Sequence, residues 1–306
     1  MKSKDLVSIA DLSLDDIREI FNLAKDLKAK GELEGSPLKG KSLGLVFQKP
    51  STRTRVSFEV GMAQLGGGVV YLGPDEVGLG KREDTKDVAR TLSRYLDGIV
   101  ARTFSHQVVL ELAEFATIPV INGLSDLLHP CQVLSDLYTI EEKKGRFKGI
   151  KLAFIGDGNN VCHSLLYGCS KVGLDLSIST PKGYEPKKEV LEPSLIEAAK
   201  SGTKIEVTND PHNAIKDADI VYTDVWISMG KEQEYKKRLK AFRSFQVNLD
   251  LLKGAKSDYL IMHCLPAHRG EEITDEVVDS PQSIVFDQAE NRLHVQKAIL
   301  LLLLGK

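Results

Sequence analysis

Apolar positions change period repeatedly along the chain and divide it into short alternating elements. Ile17, Ile20, Phe21 and Ala24 recur at helical spacing behind a Ser13/Asp16 capping pair, which predicts an amphipathic helix to about Lys28. After the loop 31–40 come a strand from Leu43 to Phe47, a helix from Val56 to Leu65 closed by three glycines, and a strand from Val69 to Leu72. These three form a βαβ unit. Pro74 to Asp84 has no period and reads as a loop. Val88, Leu92 and Tyr95 mark a helix, Gly98 to Ala101 a strand, Val108 to Phe115 a helix and Ile118 to Ile121 a strand. A further helix carries Val133, Leu134, Leu137 and Tyr138, with Pro130 in its first turn.

The charged stretch from Glu141 to Gly149 predicts a domain junction. A second alternation follows, with a strand from Lys151 to Ile155, a loop 156–160, a helix from Val161 to Val172 and a strand from Asp175 to Ser179. Strands are predicted again at Ile205 to Val207, Ile220 to Tyr222, Tyr259 to Met262 and Ile284 to Phe286, before a leucine-rich terminal helix. The run from Lys231 to Arg243, rich in both charges, reads as a solvated helix or loop face. Strands alternating with helices predict the α/β class: two doubly wound domains, each with a mostly parallel central sheet and ligands at the carboxyl ends of its strands. The boundaries fall at 1–145, 146–286 and 287–306.

With 306 residues, 42% hydrophobic and 27% charged, the chain has the balance of a globular enzyme. A net charge of −2 gives no electrostatic argument for nucleic acid or anionic lipid, so any positive site must be local. Four cysteines without a C-x-x-C pair read as reduced, cytosolic thiols. The N-terminus lacks the apolar core of a signal peptide, and Ala298 to Leu304 is too short to span a bilayer. A cytoplasmic location is expected, with no membrane partner.

Within this frame, Ser51-Thr52-Arg53-Thr54-Arg55 lies where a strand, a tight loop and a helix start meet. Free backbone N–H groups, hydroxyls and forked guanidinium donors there favour an anion, and a phosphate above all. Arg102 falls at another strand end, and His129-Pro130-Cys131-Gln132 opens a second helix in the same half of the chain. In the other half, Gly156 and Gly158 supply part of a dinucleotide fingerprint, but Val161 stands at its third glycine. Asn159 and Asn160, exposed at that strand end, are better suited to a polar substrate. The pairs His129/Cys131, Cys162/His163 and His263/Cys264 match no structural zinc spacing.

Three separated strings, Ser51-Thr52-Arg53-Thr54-Arg55, His129-Pro130-Cys131-Gln132 and His263-Cys264-Leu265-Pro266, together resemble the aspartate/ornithine carbamoyltransferase family. Asp224, Ser228-Met229-Gly230 and the Cys264 string place the likeness on its ornithine side. It continues through Asp287-Gln288-Ala289-Glu290-Asn291-Arg292 and so covers nearly the whole chain. The resemblance implies two domains flanking a cleft, with carbamoyl phosphate on the first and L-ornithine on the second, and a C-terminal helix returning to the first domain. It implies that Ser51, Thr52, Arg53 and Thr54 hold the phosphate, that Arg102, His129, Pro130, Cys131 and Gln132 serve the carbamoyl group, and that Cys264, Leu265 and Arg292 complete the site. Asn160, Asp224, Ser228 and Met229 match the ornithine positions, with Arg53, Arg102, His129 and Cys264 carrying the catalysis. The implied reaction makes L-citrulline and phosphate, as in arginine biosynthesis, without cofactor or metal. The rival reading is transfer to another amine, such as putrescine or an acylated ornithine. The family also implies a homotrimer or an assembly of trimers, in which most relatives place a glutamine from a neighbour where this chain has Gly78; Lys81 and Arg82 are the candidates to replace it.

Overall fold

The computed structural model describes residues 1, 3–30, 35–80, 82–227 and 232–305. In chain order the elements are α1 (Leu14–Lys30), β1 (Ser42–Phe47), α2 (Thr52–Gln64), β2 (Gly68–Leu72), α3 (Pro74–Val77), α4 (Thr85–Leu92), β3 (Gly98–Arg102), α5 (His106–Phe115), β4 (Val120–Leu124) and α6 (Pro130–Lys144). They continue as β5 (Lys151–Ile155), α7 (Asn160–Val172), β6 (Asp175–Ser179), α8 (Lys188–Ser201), β7 (Ile205–Thr208), α9 (Pro211–Ile215) and β8 (Ile220–Thr223). The last are α10 (Tyr235–Phe242), α11 (Leu249–Leu252), β9 (Leu260–His263), α12 (Asp275–Val278) and α13 (Val285–Leu304). Two compact units result, one made of Met1–Tyr138 with Glu290–Lys306 and the other of Thr139–Ala289.

The first unit holds a parallel sheet in the order β2-β1-β3-β4. From Leu43 to Phe47, β1 is buried at every position, as a strand covered on both faces must be. The chain leaves β1 toward β2 on one side, whereas β3 lies on the other, so the strand order reverses between β1 and β3. A crevice opens at the carboxyl ends beside such a reversal. Phe47 and Arg102 are register partners there, which sets the start of α2 next to the end of β3. The second unit repeats the logic with the order β7-β6-β5-β8-β9, reversing between β5 and β8. Ile155 pairs with Thr223, and Thr223 with His263, so the loops after β5, β8 and β9 emerge side by side.

The structure corrects several expected boundaries. Helix α2 begins at Thr52 rather than Val56, because the Ser51 hydroxyl caps it by accepting the Thr54 N–H. Residues 284–286 are no strand: Ile284 donates to the Ile261 carbonyl and Ser283 makes one bridge, after which Val285 already belongs to α13. The expected loop from Pro74 contains a helical turn, α3, ended by Gly78 in the left-handed region at φ 55°. Asn159 is buried rather than exposed. The charged run resolves into α10, which buries Arg238 and Phe242 against the second unit.

Candidate active site

In the first unit, the candidates assemble around one guanidinium. Arg292, on α13, donates through Nη2 to Thr54 Oγ1 at 2.9 Å and through Nη1 to Gln132 Oε1 at 3.1 Å. It thereby ties the first turn of α2 to the first turn of α6. Gln132 is held at its other end, its Nε2 donating to Asp136 Oδ1 at 2.8 Å. Thr54, Gln132, Asp136 and Arg292 are all buried, where polar groups persist only with partners. Arg102, the last residue of β3, and His129, immediately before α6, are buried as well. Burial first, then the positive charges of Arg292 and Arg102, push the His129 imidazole well below its ordinary pKa. His129 is therefore neutral at pH 7, a hydrogen-bonding ring rather than an acid.

Other members of this set are more peripheral. Thr52 is exposed, and Ser51 and Arg53 are half-buried along the start of α2, where the helix dipole favours an anion. Arg55 turns elsewhere, its Nε on Glu59 at 2.8 Å and its guanidinium 3.7 Å from the Tyr71 ring centroid. Pro130 is the first residue of α6. The Cys131 thiol donates into the core to the Asn122 carbonyl at 3.5 Å, and burial pushes it up to about 12, so only the Cys131 backbone is left for a ligand. Lys81 lies outside the described residues. A Cβ built on Gly78 would meet the Arg82 Cβ at 2.8 Å, so a side chain there requires the loop to move.

In the second unit, the centre is a carboxylate. Asp224, buried just past β8, accepts from the Asn159 amide through Oδ2 at 2.6 Å and from its neighbour's N–H, that of Val225, through Oδ1 at 2.8 Å. The Cys264 thiol donates to the same Oδ1 at 3.0 Å. The sulfur therefore stands beside a carboxylate rather than a cation. Asn159 also caps α7 through Oδ1, leaving Asn160 half-buried as the first helical residue. Leu265 adopts φ 57°, with its N–H donating to His263 Nδ1 at 2.9 Å. His263 is set in turn by Glu272, 3.0 Å from Nε2. Ser228 and Met229 lie outside the described residues.

Asp136 is not among the residues that the sequence singles out; its i, i+4 spacing from Gln132 was the available signal. Among the described residues, Asp224, His263 and Cys264 bring ligand atoms within 4.8 Å of one another, as do His268, Glu271 and Glu272. In the first of these groups, the thiol bond to Asp224 and the His263 Nδ1 bond to Leu265 would have to open to admit a cation. His163 Nε2 accepts from the Lys187 backbone N–H at 3.0 Å.

Two family models match the chain. Residues 4–142 match the carbamoyl-P binding domain of aspartate/ornithine carbamoyltransferase, and residues 148–303 match its Asp/Orn binding domain. The chain is 55% identical to the ornithine carbamoyltransferase of Pyrococcus horikoshii over all of this chain and 97% of that one. It is 56% identical to that of Methanosarcina mazei, over 98% and 99% of the two chains. The solved structure of ornithine carbamoyltransferase from Pyrococcus furiosus superposes with a TM-score of 0.96 at 54% identity, over 98% of this chain and 97% of the other. The enzyme from Thermus thermophilus superposes with a TM-score of 0.90 at 45% identity, over 99% and 100%.

Proposed function

The chain belongs to the aspartate/ornithine carbamoyltransferase family, and from that membership we propose its reaction: the side-chain amine of L-ornithine attacks the carbonyl carbon of carbamoyl phosphate, giving L-citrulline and phosphate. The observation that carries the reading is the tie made by Arg292 between Thr54 and Gln132, which sets two polar helix starts toward one small anionic group. Carbamoyl phosphate is a mixed anhydride. Its displacement by an amine needs positioning and donors aimed at the developing oxyanion and the leaving phosphate.

The α2 start, with Ser51, Thr52, Arg53 and Thr54, holds the phosphate, and Arg53 follows the charge of the leaving group. Arg102, the neutral His129 ring and the Thr54 hydroxyl serve the carbonyl oxygen, with Gln132 and Arg292 completing the set. The parts of Cys264 and Leu265 toward carbamoyl phosphate, and of Ser228 and Met229 toward ornithine, rest on the family resemblance. Asp224, bonded to Asn159 and Cys264, accepts from the ammonium and amine groups of ornithine, and Asn160 serves the same substrate. The amine must lose a proton before it attacks, and its lysine-like pKa of roughly 10 leaves little of it neutral at pH 7.

A trimer is the assembly that the reading implies. Exposed Val56 and Val60 on α2, with Val70 on the edge strand β2, support a face that a second copy covers. No helix among the described residues is long and apolar enough to cross a membrane, and the free cysteines support a cytoplasmic setting.

The test is citrulline formation from carbamoyl phosphate with ornithine, aspartate and putrescine compared at equal concentration. Preference for ornithine is expected. Product from another acceptor would keep the phosphate half of the reading and overturn the amine half.

A further inference from the structure

The amide of Gln132 has one orientation that its neighbours permit. Arg292 can only donate, so the atom that faces its Nη1 at 3.1 Å must be the amide oxygen. The amide nitrogen consequently faces Asp136 Oδ1, which accepts its proton at 2.8 Å. Gln132 is 1% exposed and Asp136 fully buried, one helical turn apart on α6, so water does not compete for either end.

We infer that Asp136 is a positioning residue that locks the Gln132 amide with its oxygen toward Arg292, so that this half of the molecule selects an acyl phosphate bearing an N–H donor. The inference rests on the carbamoyl phosphate reading. The oxygen has two lone pairs, of which Arg292 uses one. The other accepts from an NH₂ group and meets nothing useful in a methyl group of the same size. Carbamoyl phosphate carries that NH₂; acetyl phosphate carries a methyl in its place. A flipped amide would present N–H donors to Arg292 and to the ligand NH₂ alike, which is repulsive in both contacts. A site built on a hydrogen bond rejects the analogue that lacks it, because its own polar atom is then left buried and unsatisfied.

The experiment compares the KM for carbamoyl phosphate with the Ki of acetyl phosphate as competitor, in the wild type, D136A and D136N. The wild type is expected to prefer carbamoyl phosphate by at least about tenfold. In D136A that preference falls about tenfold, through the KM for carbamoyl phosphate, while the Ki of acetyl phosphate and the KM for ornithine stay within about twofold. D136N, whose amide oxygen still accepts from Gln132, restores most of the preference. Equal affinities in the wild type overturn the inference without recourse to any variant, which covers the case of a D136A protein that does not fold. Equal weakening of both phosphates in D136A also overturns it, since that marks a merely structural carboxylate. Failure of the wild type to bind either phosphate sinks instead the reading on which the inference stands.

Discussion

Cys264 Sγ lies 3.0 Å from Asp224 Oδ1, and the thiol donates. The two residues end neighbouring strands, β9 and β8, whose register pairs Thr223 with His263. Their contact is thus a consequence of sheet topology rather than of sequence proximity. With Asn159 on the other oxygen, the Asp224 carboxylate is oriented before any substrate arrives. Preorganisation of this kind lowers the entropy lost on binding.

Asp224→Asn keeps the shape and removes the charge that an ammonium-bearing substrate would meet. A hydrogen bond to a charged partner contributes about 1.5–3 kcal/mol, so the KM for ornithine should rise about tenfold to a hundredfold. The KM for carbamoyl phosphate should change little. Initial-rate kinetics of citrulline formation in both substrates check this, and an unchanged ornithine KM removes Asp224 from the role.

Arg292→Lys keeps the charge but loses the fork that reaches Thr54 and Gln132 together. A single ammonium cannot reproduce a planar two-pronged contact. Turnover per carbamoyl phosphate bound should drop about a hundredfold, the scale of losing one well-placed oxyanion donor. Circular dichroism should show a folded protein. Near-wild-type kcat in this variant contradicts the assignment.

His129 sets a pH dependence of stability. Burial and the adjacent arginines depress its folded-state pKa, whereas the unfolded chain takes up the proton at about 6.5. Below that value the unfolded state binds the additional proton, so the His129 contribution is complete above pH 6.5 and is lost as pH falls toward the folded value. Denaturant unfolding at pH 7.5 and 5.5 should therefore show a smaller acid loss for His129→Gln than for the wild type. Activity between pH 6 and 9 should still rise, because the neutral ring does not titrate there and the ornithine amine does.

Arg238 forms a buried ion pair with Asp157, 2.8 Å from Nη1 to Oδ2, and its Nη1 also donates to the Trp226 carbonyl. Asp157 belongs to the loop that presents Asn159 and Asn160. Arg238→Met leaves that carboxylate buried without its cation, for which about 3–5 kcal/mol of stability loss is expected. Asp157→Asn combined with Arg238→Met should recover part of it. Equal losses for the single and double variants in denaturant unfolding would show that the pair itself contributes little.

What could be read from the sequence follows the physics of each element. The strand ends were legible because an apolar run that stops at a polar residue marks both the edge of the core and the place where ligands are met: Phe47 before Ser51, Tyr222 before Thr223 and Asp224, Met262 before His263 and Cys264. Arg238 was not, since it stands among Lys236, Lys237 and Lys240. Only its four-residue spacing from Phe242 hinted that one charge of that run turns inward. Helix α8 escaped notice because Pro193 interrupts it and Leu195 and Ile196 are exposed. Asp136 looked like the polar face of an amphipathic helix, yet α6 is buried all round from Pro130 to Ile140. The Arg292 that fixes the other end of its partner Gln132 comes from α13, 160 residues from Gln132, a distance no local pattern spans.

The cysteines differ enough in surroundings to make a chemical test of the Asp224 contact. Cys131, Cys162 and Cys169 are buried, and burial raises the thiol pKa of the first two, so the native protein should protect them from alkylation. Cys264 is partly exposed and should be the one residue that iodoacetamide modifies in the folded state, as read by mass spectrometry of the digested protein. Its rate should be slow, because the thiol donates to a carboxylate and the thiolate would stand beside a like charge. Asp224→Asn removes that charge and should speed the modification several-fold, and ornithine should slow it by occupying Asp224. Modification of a buried cysteine before Cys264, or a rate indifferent to Asp224→Asn, would mean that the thiol and the carboxylate are not in contact in solution.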